Sequence, residues 1–442
     1  MNHASFLFEI ADIRLLSDPW IEGPAFYNGW DLISESVFRY EDFRDVTHIW
    51  FSHQHPDHFN PQNLKNIPPE IRSNITVLFQ QTRDHLVTNF CRGLKFKEVI
   101  ELHPGRWSSV SQDLQVRCGP IGDIDSWIAL RTSWGTVLNI NDCVVDTKAV
   151  CRRIQRRVGP VRLLATQFSY ANWCGNPENP EARITAARKT LQQVLLQCSM
   201  FDPEFVILFA SFIFYSHEEN FYHNDHMNRV GAVAHLIEEA HRRKAIVLYP
   251  GEEWSLGSPQ DWRPAASRYE EDFNRRIASG PVRATRPMAS ETLLACADTY
   301  FQRLHNHMPA WMPKPWLKTT VAVKDHARFY ELSFDGIKEL AAGPSLHADI
   351  ETSAENLYYA FKTPWGAEAL GVNGRFRECA SGGSERFARF FHAANLYSEA
   401  KFDAAWLSAQ LVRRGLRVLA WRGRVGVSTV LNRLRGDPAQ RS

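Results

Sequence analysis

Apolar and polar positions alternate in short blocks along the first half of the chain. Residues 5–20 (SFLFEIADIRLLSDPW) predict two strands joined by a turn, with Pro19 closing the second. Residues 46–52 (VTHIWFS), 75–80, 114–118 and 127–140 continue the strand pattern, the last broken by the turn Ser133-Trp134-Gly135. Residues 161–166 and 205–212 are continuous apolar runs, as expected of strands buried on both faces. Helical periodicity lies between them at 83–92, 147–157, 181–199 and 227–243. Strands first, then strand–helix alternation, predicts an α/β sandwich with helices outside two sheets.

The texture changes after about residue 260. Residues 261–330 predict a connecting helical region with Pro-rich punctuation at 309–316. Residues 331–442 predict a small C-terminal α/β domain: a strand near 330–334, a helix near 353–361, strands near 369–376, and helices from Ser384 on. The final 30 residues carry eight Arg (413, 414, 417, 422, 424, 433, 435, 441), either a solvated face or a surface for an anionic partner. The aromatic segments Tyr358-Tyr359-Ala360-Phe361 and Pro364-Trp365-Gly366 faintly resemble a sterol-carrier-type lipid module; a helix packed on its own core is the plainer reading.

Composition adds limits. With 442 residues, 44% apolar, 23% charged and a net charge of +2, the chain reads as an ordinary globular protein. That charge gives no case for nucleic-acid or membrane attraction. The N-terminus lacks a basic start and a long apolar stretch, and no apolar run approaches the ~20 residues that span a membrane. Eight scattered Cys form no C-x-x-C pair. A cytoplasmic location with reduced thiols is expected.

One segment carries chemistry. Ser52-His53-Gln54-His55-Pro56-Asp57-His58 follows a predicted strand and places four metal-capable side chains within six residues. Imidazole and carboxylate suit zinc, iron or manganese. His53 and His55 can share one face and grip one ion, while Asp57 and His58 grip a second. A pair of ions can hold a bridging hydroxide and clamp an oxyanion.

This H-x-H-x-D-H run resembles the signature of the metallo-β-lactamase superfamily. Further stretches resemble the branch that contains the ascorbate-6-phosphate lactonases and the CMP-N-acetylneuraminate hydroxylases. They are Leu16-Ser17-Asp18-Pro19-Trp20 with Gly23-Pro24-Ala25-Phe26-Tyr27, Val137 to Cys143, Phe209-Ala210 up to Ser216-His217, and Tyr249-Pro250-Gly251-Glu252. The resemblance covers roughly residues 5–260. It implies a four-layered αβ/βα sandwich over residues 1–260, with His53 and His55 on metal 1, Asp57 and His58 on metal 2, Asp142 bridging, and His217 completing metal 2. Asp142 also makes sense unaided, because a solitary carboxylate at the end of an apolar strand is costly without a cation. His223 and His226 are alternatives to His217, or substrate contacts.

Two departures matter. The family expects a third His on metal 1, and the matching stretch, Cys118 to Trp127, has none. Asp123 or Asp125 could supply a carboxylate, or Cys118 a thiolate; carboxylates would harden the site towards iron or manganese. His85 and His103 read as structural. The hydroxylases of this branch carry a Rieske domain ahead of the fold, and here the match begins at residue 5. Reducing equivalents would then come from a separate protein, or the chemistry would not be oxidative.

The leading expectation is a dinuclear-metal hydrolase attacking a small-molecule ester, lactone, amide or phosphoester. Asp57 and Asp142 would orient the hydroxide, and His217, His223 or His226 would steady the leaving group. A di-iron oxygenase with a separate reductase partner is the alternative, and a degenerate binding protein the third. Trp20, Phe26, Tyr27 and Trp173 would either wall the pocket or form plain core. Loops at 20–45, 167–180 and 215–228 would set the substrate.

Overall fold

A computed structural model of the protein describes residues 2–122, 124–308, 314–341, 343 and 347–398. Asp123 and the Arg-rich end lie outside the described residues.

Strands Leu7–Ile10 and Ile13–Ser17 form the predicted hairpin. The second strand leads into a parallel series: His48–Phe51, Thr76–Gln80 and Glu98–Leu102. A seven-stranded sheet runs, edge to edge, Lys244–Ile246, Phe205–Phe209, Leu163–Gln167, Gly135–Asn141, Asp125–Thr132, Gln115–Ile121 and Ser108–Ser109. Its first four strands pair in parallel and the rest antiparallel.

The burial pattern sets the layers. Leu15, Trp50 and Leu78 of the first sheet share one core with Leu130, Leu163 and Ile207 of the second. The opposite face of the first sheet (Leu16, Ile49, Phe51, Val77) packs on Leu64, Ile71 and Val87 of its helices. The opposite face of the second (Ala129, Leu138, Ile140, Leu164) packs on Cys151, Ile154 and Val158 of helix Lys148–Val158. The result is helix, sheet, sheet, helix.

The apolar run at 205–212 is not one strand. It breaks at Ala210, whose φ is 52°, and resumes as Ile213–Tyr215, paired with Trp30–Leu32. The break turns the chain across the mouth of the sandwich, towards His217.

A further sheet, of five strands, is ordered Gly336–Leu340, Arg328–Ser333, Lys318–Val323, Ile350–Thr352, Phe376–Glu378. Lys318–Val323 was expected to be part of a helical connection and is instead the middle strand. Its alternation of buried Thr319, Val321 and Val323 is strand periodicity that begins just after a proline-rich stretch. Helix Ser290–His307 also packs into this core through Leu293, Ala297, Tyr300, Phe301 and Leu304. Residues 369–376, expected as strands, begin as helix Gly366–Asn373, because Ala367 and Leu370 bury at helical spacing. Gly374 ends it at φ 68°. Leu357, Ala360 and Phe361 are fully buried on the same core, so the aromatic helix packs on its own unit. Among the described residues no helix is long and apolar enough to cross a membrane.

Candidate metal centre

Strand His48–Phe51 delivers the H-x-H-x-D-H segment to the mouth of the sandwich. The segment is closed on itself by His58 N and Phe59 N donating to His55 O, at 3.0 and 2.7 Å. Asn60 then caps helix Pro61–Asn66, accepting from Gln62 N and Asn63 N. From the facing sheet, Ser126 Oγ donates to Ser52 O at 2.5 Å, joining the two layers beside the site.

Three overlapping groups of donor atoms result, each within 4.8 Å: His53, His55 and Asp125; His53, His58 and Asp142; and His3, Asp57 and His58. Asp142 Oδ2 lies 3.5 Å from His58 Nε2 and 3.7 Å from His53 Nε2. Asp125 Oδ1 is 3.9 Å from His53 Nε2. Asp57 Oδ2 is 3.2 Å from both His58 Nε2 and His3 Nε2. The side chains of Asp125 and Asp142 are each 23% exposed, whereas His53 is fully buried, so the cluster opens to solvent on the carboxylate side.

The electrostatics are those of a site built around positive charge. Burial works against the Asp57 carboxylate, but His58 and His3 outweigh it and hold it well below its ordinary value. Burial likewise opposes ionised Asp142, and the facing His53 and His58 hold it low. Burial, then the Asp142 charge, pushes Asp125 up to about 8. Burial pulls His53 well down, while Asp57 and Asp142 lift His58 well above its usual range despite burial. His55 Nε2, Asp57 Oδ1, His58 Nε2 and Asp142 Oδ1 are buried without a hydrogen-bond partner. Orphaned buried donors and acceptors are expensive, and cations among them would satisfy all four. The residues present therefore fit metal ions.

Sequence reasoning missed two members. His3 is buried, held at φ 50°, and its carbonyl accepts from Ala210 N at 3.0 Å. No spacing rule links residue 3 to residue 57, so only the fold reveals it. Asp18 is also fully buried; it accepts from Ser52 N at 2.7 Å, from Asn141 Nδ2, and lies 3.1 Å from His58 Nδ1. A carboxylate behind a histidine fixes its tautomer and ring orientation. The argument that singled out Asp142, a lone acid ending an apolar strand, applies equally to Asp18.

The remaining expected residues are placed as follows. His217, His223 and His226 join none of the three groups. Cys118 joins none either, and burial pushes its thiol up to about 11. His217 Nδ1 is 3.5 Å from Glu219 Oε2, and burial, then the Arg375 charge, pulls the ring down to about 4. His226 is half-buried at the end of the 3₁₀ turn Phe221–His226. His85 pairs with Glu101 at 2.9 Å, and His103 Nδ1 lies 3.0 Å from Pro104 O. Of the aromatics, Trp20 meets His3 edge-on at 5.6 Å and Phe26 meets His55 at 5.4 Å. Trp173 and Tyr27 stack instead on Phe376 and Tyr359.

His223 is fully buried between Tyr215 and Tyr222, with neither ring nitrogen hydrogen-bonded. Burial, then Arg183, pulls it down to about 3. An unfolded chain takes up that proton near pH 6.5, and the folded chain does not until about pH 3. Stability is therefore full above pH 6.5 and falls as pH drops. At pH 5 the loss from this group is about 2 kcal/mol. Urea titrations at pH 7 and 5 should show it in the wild type, and His223→Phe should remove that part of the slope.

Residues 1–113 match the family model described as the beta-lactamase superfamily domain. This chain matches over about a quarter of its length, the H-x-H-x-D-H segment included. Its αβ/βα sandwich is a metallo-β-lactamase fold. A 148-residue stretch is 28% identical to the inactive cytidine monophosphate-N-acetylneuraminic acid hydroxylase of Homo sapiens, covering 32% of this chain and 29% of that one. The hydroxylase of Sus scrofa is 27% identical over 147 residues, 32% of this chain and 34% of that one. The matched stretch thus spans about a third of those relatives' length. Among solved structures, CmlA, a diiron beta-hydroxylase from Streptomyces venezuelae, aligns with TM-score 0.41 and 15% identity over 56% of this chain and 52% of that one. The metallo-beta-lactamase fold protein YhfI from Bacillus subtilis aligns with TM-score 0.37 and 11% identity, over 57% and 92%.

Proposed function

We propose that the superfamily domain holds two iron ions and hydroxylates a small molecule with dioxygen. The observation that carries this reading is Asp125. It lies in one group with His53 and His55, where the superfamily resemblance leads one to expect a third imidazole. Three carboxylates, Asp57, Asp125 and Asp142, then face the ions, and hard oxygen donors favour iron or manganese over zinc. The Sus scrofa relative is named as a hydroxylase and the Homo sapiens one as an inactive hydroxylase, which supports the same direction.

Bound iron would supply the redox chemistry that no side chain provides. His53, His55 and Asp125 would hold the first ion. Asp57, His58 and His3 would hold the second, with Asp142 between the two. Asp18 keeps the His58 ring in place, and Ser52 Oγ, 2.9 Å from His53 Nδ1, does the same for His53. Trp20 packs against the His3 ring and Phe26 against the His55 ring. Hydroxylation of a C–H bond takes one dioxygen, two electrons and two protons, and yields the alcohol and water. The electrons would come from a separate reductase.

Hydrolysis is the second reading. The orphaned Oδ1 atoms of Asp57 and Asp142 favour it, since each can accept a proton from a water and aim it. Elemental analysis of purified protein, beside dioxygen uptake with a chemical reductant, separates the two. About two iron per chain with uptake supports the hydroxylase. Two zinc, no uptake and turnover of an ester or lactone would establish the hydrolase. A chain holding less than one ion under every condition sinks both.

A further inference from the structure

Phe26, Tyr27 and Asn28 are three successive non-glycine residues with φ of 47°, 53° and 63°. A left-handed backbone costs an L-residue roughly 1–2 kcal/mol, though Asn tolerates it better. Such a turn persists only where its surroundings over-determine it, and strain of this kind gathers at functional sites. Here the turn sets the Phe26 ring against His55.

The surroundings come from the far end of the chain. Asn373 Nδ2 donates to Phe26 O at 2.9 Å, and Arg375 Nη1 donates to Tyr27 O at 2.6 Å. The Tyr27 ring stacks on Tyr359 with centroids 4.1 Å apart and planes 11° from parallel. Asn220 Nδ2 donates to both Gly29 O and Asn373 O, at 3.0 and 2.6 Å. The approach is so close that a Cβ on Gly29 would stand 2.5 Å from the Cβ of Asn373.

Arg375 is 0% exposed. Burying a guanidinium is expensive unless its donors are matched. Its Nε donates to Glu219 Oε2 at 2.9 Å, and its Nη2 to Glu355 Oε2 at 3.2 Å. That same Glu219 oxygen faces His217. A buried cation is therefore spent on joining the C-terminal unit to two loops of the superfamily domain, one of which touches the metal cluster.

We propose that the C-terminal unit is a working part of the metal centre: Asn373 and Arg375 are positioning residues that hold the strained turn at 26–28 and, through Phe26, the orientation of His55. This rests on the two-ion reading above. It gives the C-terminal unit a role independent of any ligand of its own.

The test uses the full chain and cobalt(II) as the probe, titrated by calorimetry and by visible absorption, with thermal unfolding alongside. The variants are Arg375→Met, Asn373→Ala and Phe26→Ala. Each is expected to weaken one of the two cobalt-binding steps about 10–100-fold, the range seen when a side chain behind a ligand is lost, and to leave the other step within about threefold. Asn373→Ala and Phe26→Ala leave the Arg375 ion pairs intact, so they carry the test if Arg375→Met does not fold. A lowered melting temperature with both binding steps unchanged in Asn373→Ala and Phe26→Ala means the contacts are merely structural and overturns the proposal. A wild-type chain that binds no cobalt overturns the two-ion reading, and this proposal with it.

Discussion

Asp142→Ala is expected to lose at least one bound ion per chain and about a thousandfold in turnover, several kcal/mol of barrier at 1.4 kcal/mol per decade. The carboxylate faces both His53 and His58, at 3.7 and 3.5 Å. Its removal leaves those imidazoles without the charge that unites the overlapping groups. The residue follows strand Gly135–Asn141, whose Leu138 and Ile140 pack in the outer core, so the strand itself should survive the change. Elemental analysis and turnover should fall together while the far-ultraviolet circular dichroism stays the same. Full metal content in a folded variant would refute the assignment.

Asp125→His should leave two ions per chain and change which ions they are. A third imidazole beside His53 and His55 restores a softer, nitrogen-rich set, and the zinc-to-iron ratio should rise at least about tenfold. Oxygen-coupled turnover should disappear with the iron. The side chain is 23% exposed, so the larger ring has room towards solvent. Anaerobic reconstitution with equimolar iron(II) and zinc(II), followed by elemental analysis, reads the ratio directly. An unchanged ratio would remove Asp125 from the ligand set.

Much of the sandwich was legible because its signals are local. The hairpin at 5–20, the apolar strand before His53 and the turn at 133–135 are each specified by neighbours in sequence. The segment from His53 to His58 was legible for the same reason: four donors in six residues share one turn. Asp125 was visible only as one of two acids beside Gly122, and the fold brings Asp125 to His53. His3 and Asp18 were not seen, because their partners lie 54 and 40 residues away. Those contacts exist only once the hairpin lies beside strand His48–Phe51. His217 was placed by its strand-end position; its Nδ1 faces Glu219 and its Nε2 is buried without a hydrogen-bond partner. The middle strand Lys318–Val323 was hidden by the punctuation before it. Arg375 had no local signature at all, since its meaning depends on a turn almost 350 residues upstream.

The cluster also has a mechanical side. Asp18, His53, His55, Asp57 and His58 follow the ends of interior strands of one sheet, and Asp125 and Asp142 lie at the ends of interior strands of the other. Ions held as proposed would rivet two layers that also meet through apolar contact and through hydrogen bonds such as Ser126 to Ser52. Anything that binds only the folded chain adds stability by mass action, about 2.7 kcal/mol at a free concentration a hundred times its dissociation constant. A chelator would then act on this protein as a mild denaturant, and the metal supply would become one of the quantities that set how long each copy stays folded.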